Sequence, residues 1–430
     1  MKSLFANSKT FELSLQRYVK RRLFAHFSDA AYWQAFILLS LVIIILISMA
    51  LCSPPMDFLQ FYDANKLFFH RQNPYELPPK FLTGFPYPPW AFLITSFFSI
   101  FDVGTACLLW SLLSLLLYMA SIYLLTVIIF EKEGGFVLFP KIALAAALAP
   151  CLWSFIDHHL MMVLLFFITL TLWLFKHRRD SFWIGATSSF LLLKPHLTLI
   201  TLILFFFQAP NRKRFLAGLL LFFTIQFVPF ISGYRPVTDL KDMFRNTQNW
   251  ATKTYVVDEQ SLAAELMRFK TKPAPSLYLN LVRPDIMPPF NKIKLIIYLS
   301  AIIVALALFA WKQRFPILPA TSLTLLAGLF FSPYSHWYDG VLLIPLALLT
   351  IFELSKGTDP IRICVLFFFI NLGLCYLLPG TGDCIHWDRV GECSIIYSAI
   401  FAGMWFYHRC LSRFFNSTKT EFIKLSSNET

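Results

Sequence analysis

Charge is scarce in this chain: only 14% of its 430 residues are Asp, Glu, Lys or Arg. Soluble globular chains carry about a quarter, so a water-soluble domain is excluded. Acidic residues are the scarcer kind, 24 against 37 basic, for a formal net charge of +13. In an apolar chain the placement of Lys and Arg reports membrane orientation, so the excess does not read as a nucleic-acid surface. Glycine is sparse too, with 15 residues, and neither a Gly-rich phosphate loop nor an Asp-x-Asp triplet occurs. No nucleotide-sugar site is therefore visible. Polar and apolar residues do not alternate within the hydrophobic segments, which excludes an outer-membrane barrel. The first apolar run, Tyr32 to Cys52, lacks a small-residue cleavage site and is too long for a signal-peptide core.

What the chain has in abundance is hydrophobic length. Apolar residues make up 57% of it, mean hydropathy is +0.62, and runs near 20 residues recur throughout. Each is long enough to cross roughly 30 Å of hydrocarbon. The reading is an all-α polytopic membrane protein of about twelve transmembrane helices. The spans fall near 32–52, 104–130, 138–156, 159–175, 181–196, 197–208, 214–232, 293–311, 316–333, 338–354, 361–379 and 394–410. The apolar stretch 88–101 is too short for a span and reads as an amphipathic or re-entrant helix in the first outer loop. Residues 1–31 form a basic amphipathic segment and 411–430 a polar tail, both on the inner side of a membrane domain covering 32–410. With this threading the inner segments are basic. Apart from the long segment 233–294, only Lys66, Arg71, Lys80, Lys194 and Arg389 fall outside.

Parity then sends every unusual polar cluster to the outer face, in the loops 53–103, 233–290 and 380–393 and at the outer span ends. Asp57 and Asp63 follow the first span. Asp57 suits a base at the membrane edge, and equally a helix N-cap for "MDFLQFYDANKLFF". Asp63 is a second acid or a solvated position. Asp157, His158 and His159 open a later span. Adjacent His residues point about 100° apart on a helix, so substrate contacts or interfacial histidines are favoured there over a metal. Lys194 sits in an apolar run before Pro195 and His196, where an ammonium is costly unless it has a task or reaches the interface. A compact cation there suits a lipid phosphate. "SPYSHWYD", residues 332–339, adds His336, Tyr338 and Asp339; an aromatic belt explains its Trp and Tyr but not its His and Asp. Cys384 and Cys393 share an outer polar loop and are a candidate disulfide, with two free thiols as the alternative.

Asp57-Phe58, Tyr62, Ala64, Asn73-Pro74-Tyr75, Tyr87-Pro88-Pro89, Lys194-Pro195 and Ser332-Pro333 through Asp339 occur in an order that resembles the GT-C type, lipid-linked-sugar-dependent glycosyltransferases. The resemblance is to the branch containing the polyprenol-phosphate-mannose-dependent α-mannosyltransferases of phosphatidylinositol mannoside synthesis. The chain departs from that pattern at Asp157-His158-His159. The resemblance implies a polyprenyl-phosphate sugar donor, a glycolipid or glycan acceptor, and a hexose, mannose in that branch, transferred with inversion. It implies Asp57 as general base. Lys194, with His196 or His336, would hold the leaving phosphate, and Tyr87, Asp63, His158, His159, Tyr338 and Asp339 would line the substrate site. Such an enzyme would need no cofactor beyond its donor and would sit in the bacterial cytoplasmic membrane among lipid partners, its site facing outward and both termini cytoplasmic. A secondary transporter or a flippase of a lipid-linked or small anionic substrate is the alternative. Transport predicts ionisable groups at mid-span, where most of these spans have none.

Overall fold

A computed structural model describes residues 56–75, 87–129, 159–231, 241–242, 292–311, 315–331 and 337–354, together with helical positions 37, 40, 43 and 44. Among these residues all regular structure is helical. The expected spans 138–156, 361–379 and 394–410, both terminal segments, Asp157, His158, His336, Cys384 and Cys393 lie outside the described residues, as do the side chains of Asp57 and Tyr338.

The first described element is α1, Met56–Phe69. Asp57 is the second described residue of α1, near the end where the helix dipole favours a carboxylate. Helix α1 ends where Arg71 turns to a φ of 57° and Gln72 N–H reaches back to the Leu67 carbonyl, a Schellman closure made without glycine. Residues 89–100 are a broken helix: the short α2, Phe92–Ser96, flanked by 3-10 turns at Pro89–Ala91 and Phe97–Ile100. This agrees with a stretch too short to span. It packs on α1 through Phe58, Phe61, Phe92 and Phe98, with Trp110 of the next helix completing an aromatic core.

That next helix, α3, runs Val103–Ile129. Its 27 residues give a length of about 40 Å, and α3 is the described helix long and apolar enough to cross a membrane alone. The Asp102 carboxylate caps its start by accepting from Thr105 N–H at 3.0 Å. Bonding to Thr105 holds that carboxyl below its ordinary range. The polarity of α3 is inverted relative to a soluble helix. Leu108, Leu112 and Leu116 stand exposed at four-residue spacing, while Ser111, Ser114, Ser121 and Thr126 are buried. Ser111, Ser121 and Thr126 return their hydroxyls to carbonyls one turn back in the same helix. A leucine-faced exterior over a hydroxyl-bearing interior suits hydrocarbon, because the exterior meets no water and the hydroxyls need no outside partner.

Five further helices build the body. They are α4, Met161–Lys176; α5, Ser181–Ser188, extended by a 3-10 stretch Ser189–Leu193; α6, Pro195–Gln208; α7, Arg212–Ile231; and α8, Lys292–Trp311. Then come α9, Ile317–Phe331, and α10, Ile344–Leu354, the latter preceded by a 3-10 segment Trp337–Leu343. The boundary between the fifth and sixth expected spans lies at Lys194, two residues before the expected one. Pro195 lacks an N–H and cannot extend the preceding helix, but it suits the first turn of the next.

Helices α5 and α6 form a hairpin with Lys194 at its apex. The base of the hairpin is closed where Ser181 Oγ accepts from Asn211 N–H and Asp180 pairs with Arg214 at 2.7 Å. Helix α7 runs parallel to α5 from this base. A Cβ on Gly185 would lie 1.9 Å from the Phe215 carbonyl oxygen, and one on Gly218 would lie 2.0 Å from that of Phe182. The two backbones therefore touch, as small residues permit between apolar helices. Gly328 of α9 meets the Leu197 carbonyl of α6 in the same way.

Candidate active site

At the apex of the α5–α6 hairpin three of the residues singled out in the sequence, Lys194, Asp339 and Tyr87, come together. Lys194 has φ −134° and ψ 70°, outside the helical region, and its carbonyl accepts the first amides of α6 from Leu197 and Thr198. Thr198 ties the break together, its hydroxyl donating to the carbonyls of Lys194 and Leu191. The Pro195 carbonyl accepts from Tyr298 Oη at 2.9 Å, so α8 also holds the apex. His196 is half-buried in the first turn of α6.

The Lys194 ammonium is buried, with its Nζ 2.9 Å from Asp339 Oδ1. Asp339 is fully buried in the 3-10 segment before α10. Two opposite charges in low-dielectric surroundings offset much of each other's desolvation cost, which either alone would bear in full. This pairing joins two residues that the sequence presented separately as phosphate- and substrate-binding candidates.

The first loop closes over this pair. The Tyr87 ring centroid lies 5.9 Å from Lys194 Nζ, within cation–π range. The same ring lies against Phe61 of α1, at a centroid distance of 4.3 Å. Asp57 sits one turn before Phe61 on α1, so the backbone places it at the same end of the body as the pair. Asp63, half-buried, is half a turn beyond Phe61. The turn Asn73-Pro74-Tyr75 supports Tyr87 from behind. Asn73 Oδ1 accepts from Tyr75 N–H at 3.0 Å, and Tyr75 Oη donates to the Tyr87 carbonyl at 3.2 Å. Asn73 Nδ2 also donates to Asp242 Oδ2, at 3.1 Å. His159 is buried immediately before Leu160, which belongs to the same aromatic core as Phe61 and Tyr87.

Three supporting residues were not evident from the sequence. Trp90 Nε1 donates to the Leu192 carbonyl at 2.8 Å, pinning the broken helix to the chain just before Lys194. Tyr298 holds the Pro195 carbonyl. Gln226 of α7 donates to Ser189 Oγ at 2.8 Å beneath the apex. A signal existed for two of them, since Tyr298 and Gln226 are isolated polar groups within apolar runs.

The opposite end of the body has a different character. His177, Arg178 and Arg179 follow α4, while Arg212, Lys213 and Arg214 begin α7, all exposed. From Ser181 to Leu193 the chain climbs about 22 Å away from this basic rim. The apex thus combines a buried cation, a carboxylate, aromatic faces and a nearby carboxylate-bearing helix, which is equipment for binding an anion and activating a hydroxyl.

The model of glycosyltransferase family 87 matches residues 85–333 of this chain. That range contains Tyr87, His159, Lys194 and His196 and ends before Asp339; Asp57 and Asp63 precede it. No curated protein and no solved structure matches the chain.

Proposed function

The chain belongs to glycosyltransferase family 87, a family of membrane glycosyltransferases, and from that premise we propose that it moves a hexose, mannose in the first instance, from a polyprenyl-phosphate sugar to a glycolipid or glycan acceptor. Membership in a transferase family favours this over transport or flipping. The observation that carries the reading is the buried Lys194 ammonium at the hairpin apex, beneath Tyr87 and next to the helix that bears Asp57. A cation held in apolar surroundings suits a substrate whose phosphate is attached to a lipid.

In this reaction Asp57 takes the acceptor hydroxyl proton. The acceptor oxygen attacks the anomeric carbon, and the bond from that carbon to the phosphate oxygen breaks with inversion. The electron pair leaves with the polyprenyl phosphate, whose new charge Lys194 stabilises. A phosphate is a good leaving group, so one base is enough. Inversion follows from a single displacement. His196 and His336 assist at the phosphate, while Tyr87, Tyr338 and the Asp63, His158 and His159 positions contact sugar or acceptor. The chain threads the membrane repeatedly with the apex on the outer face and the basic rim inside, as the gathering of Arg and Lys at the far end supports.

The test uses purified protein in lipid, radiolabelled polyprenyl-phosphate-mannose and a membrane lipid extract as acceptor. Wild type transfers label, and folded Asp57→Asn loses at least a hundredfold of the rate, the scale of one general base. Equal transfer by both proteins removes Asp57 from the mechanism.

A further inference from the structure

Asp339 presents an anionic oxygen to the Lys194 ammonium. Its Oδ1 lies 2.9 Å from Lys194 Nζ, hydrogen-bonding distance for an anionic oxygen on an ammonium. Both groups are buried, and Lys194 also opens the first turn of the 14-residue α6, whose dipole favours an anion at that end. We propose that Asp339 is a positioning residue that holds Lys194 while the donor site is empty and competes with phosphate for it, so that it yields to the donor and reclaims Lys194 as product leaves. This deepens the reading above and rests on its assignment of Lys194 to phosphate.

The reasoning is one of charge balance. A polyprenyl-phosphate sugar is a phosphodiester with one negative charge. After transfer the product is a phosphomonoester, which carries between one and two negative charges near neutral pH. With Lys194 as the buried cation among the described residues of the apex, the product would be the tighter ligand and would stall turnover. A carboxylate that competes for the same cation weakens both ligands and opposes this trapping. It also keeps the ammonium from being buried alone between cycles, which would be costly. The buried Val341, Leu342 and Leu343 hold the backbone of the 3-10 segment in place, so the exchange is a rotation of the Asp339 side chain.

The experiment measures binding of undecaprenyl phosphate, the product-like probe, by quenching of intrinsic tryptophan fluorescence, alongside kcat and KM for transfer. In Asp339→Asn the amide oxygen still accepts from Lys194, but the competing charge is gone. The expected result is a Kd lower by about tenfold, the worth of one charge-assisted hydrogen bond no longer displaced, with a lower kcat and stronger product inhibition. Asp339→Glu restores wild-type behaviour. A purely structural role predicts loss of binding and rate together. A folded Asp339→Asn that binds the probe no tighter than wild type overturns the exchange. Lys194→Met separates the two readings: if it binds the probe as well as wild type, Lys194 does not hold phosphate and the functional assignment itself fails. If Asp339→Asn does not fold, Lys194→Arg decides, because a guanidinium can serve carboxylate and phosphate through different N–H groups. Its Kd is expected to fall below the wild-type value, and a Kd at or above that value overturns the proposal.

Discussion

Replacing Lys194 and Asp339 together by apolar residues of similar size separates what the pair does for folding from what it does for chemistry. Lys194→Met alone leaves the Asp339 carboxylate buried without its ammonium. Asp339→Leu alone leaves the Lys194 ammonium without its carboxylate. Stranding one member of a buried pair costs about 3–5 kcal/mol, because the remaining charge loses its partner without regaining water. Each single variant should lower the apparent Tm in detergent by on the order of 10 °C. The double variant strands no charge, and apolar replacement of a buried pair is often neutral or stabilising by about 1–4 kcal/mol. The double variant is therefore expected near wild-type stability, with a coupling energy well above the roughly 0.5 kcal/mol error of additive sites. It should nonetheless be inactive in transfer, because the phosphate cation has gone. Heating followed by size-exclusion chromatography gives the stabilities, and radiolabel transfer gives the activity. Destabilisations that simply add would refute the ion pair. A double variant with wild-type transfer would refute any catalytic role for Lys194.

Two other consequences are independent of that pair. Gly185→Ala places a methyl where the Phe215 carbonyl oxygen already sits, 1.9 Å from the ideal Cβ. Helices α5 and α7 must separate, so a loss of about 1–3 kcal/mol or more is expected, read as reduced folded yield and a lower apparent Tm. Asp102 has its carboxyl held below the ordinary value of 3.8 by Thr105. A depressed folded-state value stabilises the fold above pH 3.8, and this contribution is lost as pH falls through the folded-state value. The Tm gap between wild type and Asp102→Ala should therefore be open at pH 7 and narrow in acid; a gap that widens in acid would contradict the cap.

The sequence by itself determined the class of architecture and, to within two residues, the break between the fifth and sixth expected spans. Long apolar runs dictate helices, because a backbone removed from water must bond within its own segment. The Lys194-Pro195 break was legible for an equally local reason, since proline cannot extend a helix on its amino-terminal side. The same reading marked residues 88–101 as too short to span, and the broken helix there agrees. It also picked out Lys194, an ammonium in an apolar run, and Asp339, an acid that an aromatic belt does not explain, while Tyr87 entered through the family resemblance. What it did not contain was who meets whom. Lys194 and Asp339 are 145 residues apart, and nothing in either local pattern matches one to the other. The tertiary structure decided that pairing, along with the seat of Tyr87 between Phe61 and Lys194 and the bond from Trp90 to Leu192. It also assigned Gly185 and Gly218 to a contact with each other's helix rather than to loops. Periodicity is a property of neighbours along the chain. A buried charge is satisfied by whichever partner the packing of distant helices brings within 3 Å, and only the folded chain contains that information.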